Sequence, residues 1–204
     1  MSEKFLNRIY DAGTPEATRA LYDAWAASYD DEIAENGYAT PARIAEALHA
    51  HVADAATPVL DYGCGTGLSG LALRLAGLEV VDGMDPSPAM IKGARDKNVY
   101  RTLSVIDPDD PAPVPQDMYR AIAAAGVIGP GAGPASLFDI LLKALPPEGL
   151  LVVSLNDHAL ADPQYEGTLT QWLDGGAACL RAKDYGEHLP GQNLKANVYI
   201  IEKA

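Results

Sequence analysis

Three aspartates, each at the end of an apolar run, are the residues best placed to do chemistry. Asp61 follows Val59-Leu60, Asp85 closes the run from Leu78, and Asp107 follows the run from Val99 to Ile106. Three alternating glycines, Gly63, Gly65 and Gly67, come directly after Asp61 in Asp-Tyr-Gly-Cys-Gly-Thr-Gly. Glycines so spaced let a ligand approach the backbone where a Cβ would collide. The helix start that follows turns free N–H groups toward the same place. Asp85 lies 22 positions after Gly63, where an acid can accept hydrogen bonds from both hydroxyls of a ribose. Three strands ending in carboxylates on one edge are costly unless a ligand sits there. A pyrophosphate would be repelled by those acids, whereas a ligand with a sulfonium, an amine and no phosphate suits them. The glycines alone do not choose, because Gly65-x-Gly67-x-x-Gly70 also satisfies the dinucleotide pattern.

The elements that must position these acids alternate. Pro58 to Asp61 reads as a first strand and Leu68 to Leu75 as its helix. Leu78 to Asp85 is a second strand, and Ser87 and Pro88 cap and open a helix to Lys97. Val99 to Ile106 is a third strand, Tyr119 to Val127 a fourth weakened by its alanines, and Gly149 to Asn156 a fifth, apolar enough to be buried on both faces. Asp107 to Gln116 is loop, and Ala135 to Leu145 is a helix stopped by Pro146-Pro147. This alternation predicts a doubly wound α/β fold, mostly parallel, with right-handed crossovers. In such a sheet ligands bind outside the carboxyl ends of the strands, so Asp61, Asp85 and Asp107 should share one crevice. Gln164 to Leu173 reads as a helix. Ala177 to Lys183 and Lys195 to Lys203, joined through Pro190-Gly191, read as an antiparallel hairpin on the sheet edge.

Residues 1–55 read as a helical lid, and 56–204 as the ligand-binding core. Leu21, Tyr22, Trp25 and Tyr29 make one apolar-aromatic helical face. Asn36-Gly37 breaks the chain, and Thr40, as N-cap before Pro41, starts the next helix. The lid holds ten acids and four bases, six of the thirteen excess negative charges. A net charge of −13 argues against nucleic acid and against anionic membrane surfaces. A chain of 204 residues buries roughly 70% of its unfolded surface and supports its own core. Two cysteines, Cys64 and Cys179, are too few for a disulfide framework and suit a reducing compartment. Without a signal-peptide core or a membrane-length apolar run, the expectation is a cytoplasmic protein.

Val59-Leu-Asp-Tyr-Gly-Cys-Gly-Thr-Gly67 resembles the first motif of the class I S-adenosylmethionine-dependent methyltransferases. Asp85-Pro-Ser-Pro-Ala-Met90 is similar to their second motif, Asp107 to their third, and Pro146-Pro-Glu-Gly-Leu-Leu-Val-Val153 to the turn before their fifth strand. The resemblance covers residues 20–203 and implies a seven-stranded sheet, with S-adenosylmethionine as cofactor and no metal. It implies that the backbone around Gly63, Cys64 and Gly65 cradles the methionine part. Asp61 would meet its ammonium directly or through water, and the carbonyl of Ala125 would face the same amine. Asp85 would hold the ribose diol and Asp107 the adenine amino group. Pro86 and Pro108 would sandwich the adenine, with Met90 packed near the base. The lid sequence from Tyr22 to Asp30, with Gly37-Tyr-Ala-Thr-Pro41, resembles a small-molecule branch that includes the methyltransferase-like proteins named for the Williams–Beuren syndrome region. That likeness implies a small-molecule acceptor and has Tyr29 and Tyr38 closing over the cofactor. Where that branch often carries a histidine, this chain has Gly129-Pro130-Gly131.

Catalytic candidates are few. Cys64 reads as a packing residue of the loop rather than a nucleophile. His49 and His51 face different ways on a helix and have no partners for a metal. Asn156, Asp157 and His158 leave the fifth strand on the ligand edge. They read first as a polar strand exit and second as a substrate contact, with His158 able to take a proton near neutral pH. Tyr29 is the other candidate, where the apolar lid face ends. Two further readings stay open: a nicotinamide-dependent oxidoreductase, which leaves Asp107 unexplained, and a non-catalytic module that binds S-adenosylmethionine.

Overall fold

The computed structural model describes residues 5–9, 14–107 and 109–204. Seven strands form one sheet: β1 (Val59–Tyr62), β2 (Val81–Asp85), β3 (Leu103–Val105), β4 (Ala121–Ala124), β5 (Leu150–Asn156), β6 (Ala178–Leu189) and β7 (Leu194–Lys203). Their order is β3-β2-β1-β4-β5-β7-β6. The first five pair in parallel, and β7 runs antiparallel to both β5 and β6. Nine helices are described: α1 (Phe5–Arg8), α2 (Pro15–Trp25), α3 (Tyr29–Glu35), α4 (Thr40–His49), α5 (Leu68–Leu75), α6 (Pro88–Asp96), α7 (Leu137–Ala144), α8 (Asp157–Leu160) and α9 (Pro163–Asp174). The doubly wound sheet with its terminal hairpin is therefore as the alternation predicts.

Side chains alternate across each strand, and this divides the core in two. Leu60, Ile122, Leu151, Val153 and Leu155 pack with Phe138, Leu141 and Leu142 of α7 on one face. Val59, Val81, Ala121, Ala123 and Val152 pack with Ile44 and Leu48 of α4 and Leu73 of α5 on the other. The alanines that weaken β4 as a strand by propensity are all buried at its centre, where packing decides the conformation. Asp61 follows the second face, so its carboxylate points under α5 rather than into the α7 core.

Several boundaries differ from expectation. The third strand shortens to Leu103–Val105, and the fourth ends before Gly126, whose φ of 70° turns the chain. The sixth runs on to Leu189 instead of stopping at Lys183, because its pairing with β7 continues to Leu189 opposite Leu194. Thr40 is not the N-cap of its helix. Ala39 takes that place without a side-chain bond, and the Thr40 hydroxyl is spent on His188 Nδ1 at 2.7 Å. Ser87 does cap α6, accepting from Met90 N at 3.0 Å.

Candidate active site

The glycine loop between β1 and α5 is held open by its backbone. Gly63, Gly65 and Gly67 have φ of 68°, 53° and 94°, a region that costs side-chain-bearing residues energy. The N–H groups of Gly63 and Cys64 both donate to Met84 O, at 2.7 and 3.0 Å, which ties the loop to β2. A Cβ on Gly63 would stand 2.5 Å from Val127 Cγ2, whereas a Cβ on Gly65 would meet nothing within 4 Å. The first glycine is needed for packing, and the second faces open space.

Asp85 joins the loop to the next helix. Its Oδ2 accepts from Gly65 N at 2.9 Å and its Oδ1 from Ser87 N at 2.8 Å. Burial raises this carboxyl to about 6, against the opposing pull of those two N–H groups. Asp61 lies deeper and is fully buried. Its Oδ2 accepts from Ser69 Oγ and Tyr100 Oη, both at 2.7 Å, while Oδ1 has no hydrogen-bond partner. Desolvation pushes Asp61 up to about 7, and the Ser69 and Tyr100 hydroxyls oppose it. By contrast Asp82, three residues before Asp85, is closed off by Arg101, Tyr119 and Thr102 N. Its polar partners are already present within the fold.

The remaining predicted residues distribute as follows. Asp107 is exposed beyond β3, with Oδ1 accepting from Asp109 N at 3.0 Å. Pro86 is half-buried beside Asp85 and Met90 is buried on α6, while Pro108 lies outside the described residues. Cys64 is buried against Ile91 and Ala94, and burial with the Asp61 and Asp85 charges holds its thiol far up and protonated. The Ala125 carbonyl accepts from Tyr38 Oη at 3.5 Å, and a Cβ on Gly126 would come within 2.6 Å of that hydroxyl. Asp61, Asp85 and Ala125 thus gather around the loop. His158 is exposed on α8 and lies outside the cavity described next.

Helices α2 and α3 cover this edge of the sheet. The Asp23 carboxylate accepts from the Ser87 hydroxyl. Asp30 accepts from Thr66 Oγ1 at 2.5 Å and from Lys97 Nζ at 2.6 Å. Between the cover and the ends of β4, β5 and β6 lies a cavity of about 60 Å³ that opens to solvent. Tyr22, Trp25, Tyr29, Tyr38, Ser154, Asn156 and His188 are among its lining residues. Tyr29 meets the Trp25 ring edge-on at 4.7 Å between centroids.

The sequence reading passed over three of these residues. Tyr100 and Thr40 act through partners far away in the chain, and His188 lies in a stretch that carried no strand assignment. Only the glycine at position 70 hinted at Tyr100, since a Cβ there would overlap the Tyr100 ring and hydroxyl. Among the described residues no group of three or more His, Cys, Asp or Glu could hold a metal ion. Nor is any described helix long and apolar enough to cross a membrane.

Residues 31–195 match the family model described as a methyltransferase domain. The chain is 29% identical over 167 residues to methyltransferase-like protein 27 of Homo sapiens, covering 79% of this chain and 67% of that protein. Its fold is similar to magnesium protoporphyrin IX methyltransferase from Synechocystis with bound SAM: TM-score 0.61, 16% identity, 98% of this chain and 90% of that one. It is also similar to a TehB-like SAM-dependent methyltransferase from Corynebacterium glutamicum: TM-score 0.60, 20% identity, 89% and 99% covered.

Proposed function

Because this chain belongs to the methyltransferase-domain family, we propose that its glycine loop and strand-end acids hold S-adenosylmethionine and that the aromatic cavity receives a small-molecule methyl acceptor. The chain is an S-adenosylmethionine-dependent methyltransferase. The cofactor, when bound, supplies a sulfonium-activated methyl group for displacement by an oxygen, nitrogen, sulfur or carbon nucleophile.

The residues present fit that cofactor. The observation that carries the assignment is the fully buried Asp61 Oδ1 without a partner beside the loop. A buried carboxylate oxygen left unpaired is costly, and an ammonium group, directly or through a water, offsets that cost. The open space in front of Gly65 supports a backbone cradle for the methionine part. Asp85, oriented by Gly65 N and Ser87 N, is the acceptor for the ribose diol, and Asp107 the acceptor for the adenine amino group. Pro86, Pro108 and Met90 flank the base. The Ala125 carbonyl, now engaged by Tyr38, takes the amine, and Tyr29 and Tyr38 close the site.

For the acceptor, the protein contributes orientation and exclusion of water. Orientation alone can be worth roughly 7–11 kcal/mol. The cover formed by α2 and α3 would keep water from the reacting atoms. His158 lies outside the cavity, 129–131 carries no histidine, and His188 in the lining is held down to about 4 by burial and so is a weak base; the acceptor is expected to arrive already nucleophilic.

Calorimetry tests the assignment. Asp85→Ala should weaken S-adenosylhomocysteine by about 1.5–3 kcal/mol, the worth of a charge-assisted hydrogen bond. Unchanged affinity would remove Asp85 from the site. Thermal shift with NAD and NADP as comparison ligands should show no stabilisation.

A further inference from the structure

The lining of the aromatic cavity has two properties that bear on the acceptor's chemistry. The first is charge. The lining holds no Asp, Glu, Lys or Arg among the described residues, although the chain carries a net charge of −13. The histidine in this lining, His188, is pulled down to about 4 by burial, so it is neutral at neutral pH. A charged acceptor entering there would lose its hydration without gaining a counter-ion from these side chains.

The second is unused hydrogen-bonding capacity. Trp25 is buried, lines the cavity, and its Nε1–H has no hydrogen-bond partner. An indole N–H can only donate, so what it lacks is an acceptor. His188, also in the lining, is held in one orientation. Its Nδ1 meets Thr40 Oγ1 at 2.7 Å, its carbonyl accepts from Ala39 N at 2.9 Å, and its ring stands perpendicular to Tyr38 at 5.4 Å. With Nδ1 engaged, Nε2 is the ring nitrogen left for a ligand. Asn156 Oδ1 is likewise spent on capping Ala159 N, leaving its amide N–H groups. The rings of Tyr22, Trp25 and Tyr29 contribute aromatic surface to the same lining.

We propose that the methyl acceptor is an uncharged, planar small molecule: its ring system lies against Tyr22, Trp25 and Tyr29, a carbonyl-type oxygen accepts from Trp25 Nε1, and a second polar edge meets His188 Nε2. His188 is a specificity residue and Thr40 a positioning residue that acts through it. This deepens the methyltransferase reading and rests on it. An acidic metabolite, an amine or a phosphorylated compound does not satisfy this lining.

The test uses the full chain saturated with S-adenosylhomocysteine and three probes of one skeleton: naphthalene-2-carboxamide, naphthalene-2-carboxylate and naphthalen-2-ylmethylamine. The benzene analogues of each are run beside them. Binding is read by calorimetry and ligand-observed NMR. The carboxamides should bind at least about tenfold tighter than either charged partner, equivalent to about 1.4 kcal/mol. Trp25→Phe should weaken the carboxamides several-fold while S-adenosylhomocysteine affinity holds. Thr40→Val, a near-isosteric change that keeps the fold if Trp25→Phe does not, should also weaken them and alter the His188 ring-nitrogen NMR shifts; Thr40→Ser should restore both. Equal or tighter binding of a charged probe, no binding of either carboxamide at low-millimolar concentration, or indifference to both variants would overturn the proposal. Failure of S-adenosylhomocysteine itself to bind would instead overturn the cofactor assignment beneath it.

Discussion

Asp61 offers the sharpest perturbation. Desolvation, opposed by Ser69 and Tyr100, raises its carboxyl from the ordinary 3.8 to about 7. A folded value above the unfolded one means that the folded chain holds the proton to higher pH. Its stabilising contribution is therefore complete below 3.8 and is lost as pH climbs through about 7. Asp61→Asn carries no such proton and should not follow that curve. Each pH unit in the window corresponds to about 1.4 kcal/mol. Across the window, wild type should lose up to about 4 kcal/mol relative to the variant, an upper bound because the two hydroxyls stay in place. For a chain of this length that corresponds to a relative melting shift of up to about 10 °C. Denaturant and thermal unfolding of both proteins between about pH 4 and pH 8 provide the measurement, and the difference between them cancels the acids they share. A difference independent of pH would show that Asp61 is ionised throughout and refute the burial argument. Adding S-adenosylhomocysteine extends the test. An ammonium at Oδ1 favours the ionised carboxylate, so affinity for wild type should strengthen with rising pH by at most about tenfold per unit. The variant should show no such slope, and equal slopes would separate Asp61 from the ammonium.

Three further outcomes follow from particular contacts. Gly63→Ala places a Cβ 2.5 Å from Val127 Cγ2 at a φ of 68° and should cost about 1–3 kcal/mol in thermal unfolding; adding Val127→Ala should recover the crowding but not the backbone strain. Tyr100→Phe removes the donor to Asp61 and the acceptor for Gly70 N, which should cost about 1–3 kcal/mol and move the Asp61 carbon-13 titration further up. Asp30→Ala releases Lys97 and Thr66; the stability change should be about 1 kcal/mol for a half-buried pair, while limited proteolysis of α2 and α3 should accelerate. An unchanged cleavage rate would show that this bridge does not hold the cover down.

Much of the fold was legible because its signals are local. The apolar run into Asp61, the alternating glycines and the Ser87-Pro88 helix start each fix a few residues by sterics and capping, whatever the rest of the chain does. Alternation of strand and helix then leaves few topologies once crossovers must be right-handed. The same locality explains the misses. Thr40 before Pro41 has the sequence form of a cap, yet a histidine 148 positions away claims its hydroxyl. The stretch from Asp184 to Glu187 shows no apolar alternation because it is mostly exposed, and only pairing with β7 makes it a strand.

The candidate site divides along the same line. The sequence by itself determined the acids and the loop: Asp61 and Asp85 stand at strand ends with Asp107 just past β3, and the glycines beside Asp61 permit the positive-φ turns that open the backbone. Only the tertiary structure decided what those acids face. Asp61 is sealed beneath Ser69 and Tyr100 with one oxygen unpaired, Asp85 is tied to the loop, and Asp82, identical in type, is closed off by Arg101 and Tyr119. The aromatic cavity was legible only in part, since the aromatic lid face and Asn156 were expected on the ligand edge and do line it, whereas His188 and Ser154 were not. Its lining comes from α1, α2, α3, the segment after β4 and the ends of β5 and β6, segments that share no spacing in the chain. They meet because the sheet brings its carboxyl edge under the cover, where burial sets His188 neutral and leaves the Trp25 N–H without a partner.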